Sequence, residues 1–340
     1  MLRTKDFCAI VPAYNEEKVI TESLKSLKKV FDRSDIYVVS DGSTDGTANL
    51  ARLQGVNVLN LVENCGKANA QEKVISRFRL TNRYSYILFT DADSRLEMNF
   101  LDEAKKYISE KPALIVGTVK SERKGIISAF RTFEYGLSHL VYKRAQNFIK
   151  AITVAPGCAS LYNSRVLERL DLKSQTITED LDLTIQIYKK KLGRIVYSPK
   201  SNVVTQDPES FKDYWKQVTR WNIGTWQNYF LHRLYRMNSK YNAEMNYLFI
   251  DSFLWLATVI IAILYPVVLV NFLLGVLITI YCCAFIILLI ERRYWPLPYA
   301  PIFPIFYFIN IISFFYSLFR VVLSKKKFIW NKVNRYDSAQ

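Results

Sequence analysis

Tyr86-Ile87-Leu88-Phe89-Thr90-Asp91-Ala92-Asp93-Ser94 is an apolar run that ends in two carboxylates two positions apart. Its length and β-prone composition predict a strand over 86–90. On an extended chain, residues i and i+2 point to the same side. Asp91 and Asp93 therefore stand together at the strand's carboxyl end. Two such carboxylates repel, and a divalent cation that also touches a diphosphate removes the repulsion while neutralising charge on a leaving group. Taken alone, the pair fits a solvated Asp-rich turn equally well.

Upstream, the chain alternates. Phe7 to Pro12 is an apolar run, then comes Asn15-Glu16-Glu17, then Val19, Ile20, Leu24, Leu27 and Val30 at helical spacing. Ile36 to Val39 predicts a second strand, Asp41 to Thr47 a glycine-containing loop, Ala48 to Leu53 a helix, and Val56 to Val62 a further strand. Strands alternating with helices imply an α/β fold with a mainly parallel sheet, in which ligands gather beyond the carboxyl ends of the strands. Tyr14-Asn15-Glu16, Asp41-Gly42-Ser43 and Asp91-Ala92-Asp93 all fall at such ends. By itself, Asp41 to Thr47 also fits a tight turn with Ser43, Thr44 or Asp45 capping the next helix.

The rest of the chain changes character. Half of the 340 residues are hydrophobic and 14% aromatic, yet 22% are charged, a mixture that fits a soluble part and a lipid-embedded part in one chain. No charged residue occurs from Ser252 to Ile290, about twice the ~20 residues needed for one helical crossing. This predicts a two-helix hairpin that breaks near Pro266 to Asn271. A third apolar stretch runs from about Ala300 to Leu323. The positive-inside rule wants Arg292-Arg293 and Lys325-Lys326-Lys327 on one side, which a full third crossing contradicts. The stretch reads as a span, with Arg320 near its far end placed to snorkel, and the conflict stays open; a re-entrant or surface-lying segment is the alternative that resolves it.

The net charge of +16 suits nucleic acid, an anionic membrane or phosphorylated ligands. Basic clusters flank the apolar runs and no nucleic-acid-binding signature is present, so the lipid bilayer is the expected partner and nucleic acid is not. Cys8, Cys65, Cys158, Cys282 and Cys283 have no C-x-x-C spacing and predict neither a disulfide framework nor a zinc site. The first strand begins by Phe7 and leaves no room for a signal peptide core, so the first half is expected in the cytosol. Ser128 to Ile149 reads as an amphipathic helix near the sheet or the bilayer surface. His139 and His232 fit no metal or triad pattern.

Two further motifs follow. Thr178-Glu179-Asp180 predicts a helix start, with Thr178 as cap and two acids in the favourable first turn. Gln217, Arg220 and Trp221 fall at i, i+3 and i+4, on one helical face. There an arginine can meet phosphate and a tryptophan can stack on a sugar, although an isolated pentapeptide of this kind also fits an interfacial anchor.

From Phe7 to about Trp226 these residues resemble the inverting family 2 glycosyltransferases of GT-A fold, particularly the membrane-bound cellulose, chitin and hyaluronan synthase-like branch. The nucleotide loops are also similar to those of dolichyl-phosphate mannose synthases. The resemblance implies that Pro12, Ala13, Tyr14, Glu16 and Asp41 cradle the nucleoside, with Lys67 and Asp91 near the nucleotide. It further implies that Asp91 and Asp93 hold Mg²⁺ or Mn²⁺ under the diphosphate, and that Asp180 of T-E-D is the general base. Glu179, Gln217, Arg220 and Trp221 would serve the diphosphate and acceptor. Gly157 to Ser160 resembles a small-residue segment under the acceptor sugar.

The implied domains are a cytosolic GT-A domain over 1–237, a linker over 238–247, a transmembrane region over 248–323 (hairpin 250–290, third segment 300–323) and a basic tail over 324–340. The implied activity is metal-dependent transfer of a hexose from a UDP- or GDP-sugar to a glycan or lipid-linked acceptor. The chain departs from polymer-extruding synthases in having no apolar span before the catalytic region, and from dolichyl-phosphate mannose synthases in carrying Q-x-x-R-W. Alternatives are a polyprenyl-phosphate sugar synthase and an inactive nucleotide-sugar-binding scaffold. Nothing in the sequence speaks to oligomeric state.

Overall fold

The computed structural model describes residues 6–122, 125–173, 175–323 and 336; the basic cluster at Lys325 to Lys327 lies outside them. The described residues form two compact units. The first lies within Met1–Lys120 and Val154–Gln206, together with Tyr336, and the second within Ser121–Thr153 and Asp207–Val333.

The first unit is built on β1 (Phe7–Ala13), β2 (Ile36–Asp41), β3 (Asn57–Leu61), β4 (Tyr86–Phe89), β5 (Ser94–Leu96), β6 (Leu114–Ser121), β7 (Ser160–Asn163) and β8 (Ile195–Thr205). They form one sheet in the order β3-β2-β1-β4-β7-β6-β8-β5. The pairs β2–β3, β1–β2 and β1–β4 are parallel, whereas β4–β7, β6–β7 and β5–β8 are antiparallel. The sheet is thus mixed, with its first four strands parallel. Every residue of β1 and β2 is buried, as expected for parallel strands covered on both faces, which read as continuous apolar runs and not as alternation.

Helices connect the parallel strands: α1 (Ile20–Leu27), α2 (Thr47–Leu53) and α3 (Lys67–Phe78), followed by the short α4 (Leu80–Arg83). On α1 the buried Ile20, Leu24 and Leu27 recur at i, i+4 and i+7, while Glu22 and Lys25 pair on the wet face. Each buried Ile or Leu contributes about 1.5–3 kcal/mol. Chain order runs outward from β1 to β2 and β3 on one side and to β4 on the other. The crevice between β1 and β4 is therefore the topological switch point, where doubly wound sheets bind ligands.

The remaining helices of this unit are α5 (Phe100–Lys105), α8 (Ser164–Leu167) and α9 (Glu179–Lys189). The second unit is helical: α6 (Ile126–Leu137), a π-helical turn at Ser138–Tyr142, α7 (Lys143–Ile149), α10 (Phe211–Leu231), α11 (Lys240–Leu264), α12 (Pro266–Ile290), a 3₁₀ segment at Leu297–Ile302 and α13 (Phe303–Leu323). Its core is aromatic. Phe130 stacks on Phe306 at 4.8 Å and Phe133 on Phe303 at 5.3 Å. Trp226 packs on Phe249 and Phe314 and donates its indole N–H to the Phe314 carbonyl at 2.9 Å.

Tyr265, in extended conformation, separates α11 from α12. A residue before proline is pushed out of the α region, so Pro266 ends one helix and opens the next. Trp255 and Phe272, on either side of that break, lie 5.9 Å apart, so the two helices fold back on each other. Among the described residues, three segments are long and apolar enough to cross a membrane: Lys240–Ile261, Leu269–Ile290 and Leu297–Leu323. Large apolar side chains along them, Leu254, Ile260, Leu274, Ile286 and Val322 among them, are exposed, as lipid-facing residues are.

Candidate active site

The loops after β1 and β2 are laced together by side chains. Asn15 takes a left-handed φ of 54°, which asparagine tolerates better than most residues. Its N–H donates to Ser43 Oγ at 3.1 Å, and its own Oδ1 accepts from Thr44 N–H at 2.8 Å. Glu16 N–H donates to Thr47 Oγ1 at 2.7 Å, and Gly46 N–H to Glu17 Oε2 at 2.9 Å. Asp45 Oδ1 accepts from Thr47 N–H at 3.0 Å, at the first residue of α2, where Gly46 is the N-cap residue. Pro12 and Ala13 are buried at the end of β1, Tyr14 is half-buried, and Glu16 is buried.

Asp41 ends β2, and its carboxylate ties down the loop before α3. Its Oδ1 accepts from Cys65 N–H at 2.8 Å and its Oδ2 from Gly66 N–H at 2.9 Å. Gly42 turns the chain there with φ 68°. A Cβ at this position would lie 2.4 Å from Asn64 N, so only glycine fits. That tie delivers Lys67, the first residue of α3, into the crevice.

Lys67 Nζ lies 2.7 Å from Asp91 Oδ1 and 2.9 Å from Glu179 Oε1. Burial pulls the ammonium's pKa down, but Asp91, Glu179 and Asp180 outweigh it and hold the pKa well above its ordinary value. Asp180 Oδ2 accepts from Gly157 N–H at 3.1 Å and Oδ1 from Leu181 N–H at 2.8 Å, in the first turn of α9. The helix N-terminus favours the charged carboxylate there and fixes its direction. Thr184 Oγ1 accepts from Ala155 N–H at 3.1 Å and donates to the Asp180 carbonyl at 2.7 Å, which moors the 155–157 segment to α9. A Cβ on Gly157 would fall 2.8 Å from Lys67 Nζ, so glycine here admits the ammonium. The buried Cys158 thiol is pushed well up by burial and by Asp91 and Asp93.

Asp91, Glu179 and Asp180 thus surround one lysine, with Asp93 two positions beyond Asp91, leaving an excess of negative oxygen. Among the described residues no group of three or more His, Cys, Asp or Glu stands where it could hold an ion by itself. Hard carboxylate oxygens suit Mg²⁺ or Mn²⁺, and two of them fit the usual magnesium pattern, in which substrate phosphates and water complete the shell. The residues therefore fit a cation completed by a diphosphate and do not form a closed protein cage.

Gln217, Arg220 and Trp221 lie on α10, in the second unit, each half-buried. A cavity of about 230 Å³ in that unit is lined by Trp221, Asn222, Glu134, Ser252, Tyr307 and Asn310, among others. Arg131, which belongs to no motif, is fully buried beside them. Its guanidinium lies over the Tyr214 ring at 4.7 Å and the Trp221 ring at 4.6 Å, and donates to Gln217 Oε1 at 2.7 Å. His139 is buried in the same unit, where burial and Lys143 lower its pKa to about 3.

A doubly wound crevice with acidic strand ends, joined to an antiparallel half-sheet, is the GT-A-like arrangement of nucleotide-sugar-dependent transferases. The chain belongs to the family described as glycosyltransferase like family 2, whose model matches residues 5–224. It is 27% identical over 225 residues to poly-β-1,6-N-acetyl-D-glucosamine synthase of Staphylococcus aureus, across 63% of this chain and 53% of that protein. The synthase of Staphylococcus epidermidis is 26% identical over 228 residues, with the same coverage. The chain thus spans about half the length of these curated relatives. A mannosyltransferase from Pyrobaculum calidifontis, solved with GDP-Man and Mn²⁺, shares the fold at a TM-score of 0.60 and 17% identity, over 94% of this chain and 88% of that one.

Proposed function

We propose that the protein is a membrane-anchored, inverting hexosyltransferase that uses a UDP- or GDP-sugar at the cytosolic face, with Asp180 as general base. The observation that carries this is the grip on Asp180: a carboxylate held by Gly157 N–H at 3.1 Å, on a helix N-terminus, beside the Lys67–Asp91–Glu179 cluster. Asp180 accepts the proton of the acceptor hydroxyl as that oxygen attacks the anomeric carbon, and the nucleoside diphosphate departs from the opposite face. Asp91 and Asp93 would hold a divalent cation, which would supply charge neutralisation for the diphosphate. Lys67 adds a fixed positive charge to that end of the crevice, and Glu179 holds Lys67 in place. Pro12 to Glu16 and Asp41 form the nucleoside edge.

Trp221 and the cavity beside it serve the acceptor. The names of the staphylococcal relatives favour a glycan acceptor and an N-acetylglucosamine donor. The mannosyltransferase of like fold was solved with GDP-Man, which supports a GDP-sugar as the alternative donor. The three long apolar segments support an active domain held at a bilayer, with basic flanks adding ~1 kcal/mol each against acidic lipid.

The test uses the full chain in lipid nanodiscs with a panel of UDP-, GDP- and CDP-sugars and Mg²⁺ or Mn²⁺. Nucleoside diphosphate release that EDTA abolishes is expected from at least one donor. Chloroform-soluble labelled product identifies a lipid acceptor and a water-soluble ladder identifies chain elongation. Release from none of the donors refutes the proposal.

A further inference from the structure

Arg131 is a permanent positive charge with no solvent exposure, so its position has to be set by partners. Those partners form a closed ring. Its Nη1 pairs with Glu134 of the same helix, and its Nη2 donates to Gln217 Oε1 on α10 at 2.7 Å. Glu134 Oε1 accepts from Asn310 Nδ2 on α13 at 3.0 Å, and Asn310 Oδ1 accepts from Tyr214 OH at 2.7 Å. The Tyr214 ring lies under the guanidinium again, at 4.7 Å. Tyr214, Gln217 and Trp221 stand at i, i+3 and i+7 of α10, so one planar cation meets all three on one face.

Two chemical consequences follow. A guanidinium only donates, so the Gln217 atom it meets must be the amide oxygen, and the amide N–H₂ then presents its donors away from Arg131. The cation also backs one face of the Trp221 indole, whose ring borders the 230 Å³ cavity. Lysine could supply the charge, but neither the flat stacking surface nor the fork that reaches Glu134 and Gln217 together.

We propose that Arg131 is the positioning residue for Gln217 and Trp221 within the helical unit: it fixes the Gln217 amide with its donors outward and holds the Trp221 ring, and Asn310 of the apolar helix α13 secures it through Glu134. This rests on the reading of Trp221 as an acceptor contact.

The test compares wild type, Arg131→Lys and Asn310→Ala as full chains in nanodiscs. Donors are UDP-N-acetylglucosamine and GDP-mannose; acceptor probes are an N-acetylglucosamine pentasaccharide and undecaprenyl phosphate. Arg131→Lys is expected to raise the acceptor KM about tenfold, as loss of a charged hydrogen bond does, with donor KM within twofold of wild type. Asn310→Ala is expected to raise it in the same direction by a smaller factor. Independently of turnover, the emission attributable to Trp221, obtained by difference from Trp221→Phe, is expected to change in Arg131→Lys.

Equal losses for donor and acceptor, or an unchanged acceptor KM with unchanged Trp221 emission, overturn the proposal. If Arg131→Lys does not fold, Asn310→Ala decides by the same two readouts. If wild type transfers to neither probe, the acceptor reading fails, and the emission difference alone decides whether Arg131 holds Trp221.

Discussion

Gly157→Ala separates the charge cluster from Asp180, the proposed base, with a single methyl group. The added Cβ would lie 2.8 Å from Lys67 Nζ, closer than real contacts allow, but 3.6 Å from Asp180 Oδ2 and 3.7 Å from Asp180 Cβ, which is ordinary contact. The Gly157 N–H that holds Asp180 survives the substitution, and Gly157 is not one of the glycines with positive φ. The group that must move is the tip of a flexible lysine, which is 31% exposed and can swing outward. Stability should therefore change by less than ~1 kcal/mol.

Function should change more. Lys67 loses its seat between Asp91 at 2.7 Å and Glu179 at 2.9 Å. A hydrogen bond to a charged group contributes about 1.5–3 kcal/mol net, and partial exposure argues for the lower end. A loss of ~1.5 kcal/mol corresponds to roughly tenfold in kcat/KM for the donor. The assay is donor-dependent release of nucleoside diphosphate by the purified variant, beside its melting curve. A variant with unaltered melting and unaltered donor kcat/KM would refute the role given to Lys67, and a large fall in Tm would refute the claim that only the lysine tip moves.

Asp180→Asn should keep the grip of Gly157 N–H, through the amide oxygen, but cannot accept a proton, so transfer should fall by ~10²–10⁴-fold with donor KM little changed; undiminished transfer means the base lies elsewhere. Asp207, buried in the second unit, is held at a pKa of about 7 by burial against the opposing pull of Arg131, Ser121 and Ser128, with Glu134 pushing the same way as burial. Its folded pKa lies above the ordinary 3.8, so its contribution to stability is fully present below about pH 3.8 and is lost as pH rises through about 7. The difference corresponds to roughly 4 kcal/mol at most. Asp207→Asn should flatten the fall of Tm between pH 5 and pH 8, and parallel profiles for wild type and variant would show that Asp207 is ionised throughout.

The sequence revealed the sheet and the acidic strand ends because both signals are local. Buried parallel strands appear as short apolar runs, and a carboxylate just past such a run must sit at a strand's end. The break before Pro266 was equally legible, since it follows from backbone sterics alone. Arg131 was not legible: it lies 86 positions from Gln217, among apolar residues that read only as an amphipathic helix, and its partners are chosen by packing. The division into two units was hidden for the same reason, since the second is assembled from Ser121–Thr153 and Asp207–Val333, on either side of a sheet segment.

Asp41 marks the boundary between the two kinds of information. Its type and place mark it as a ligand-facing acid, and the resemblance assigns it to the nucleoside. In the structure, both of its oxygens already accept backbone N–H groups of Cys65 and Gly66, and the residue is 3% exposed. An ionised carboxylate has about four acceptor positions; two are committed to backbone N–H groups at the start of α3 and a third to the Cys65 thiol at 3.2 Å, so about one remains for a nucleoside. A sequence can place a carboxylate at a cleft, but only the folded chain shows how much of its bonding capacity the protein has already used on itself. At Asp41 that share goes to delivering Lys67, which couples the end of β2 to the charge cluster around Asp91.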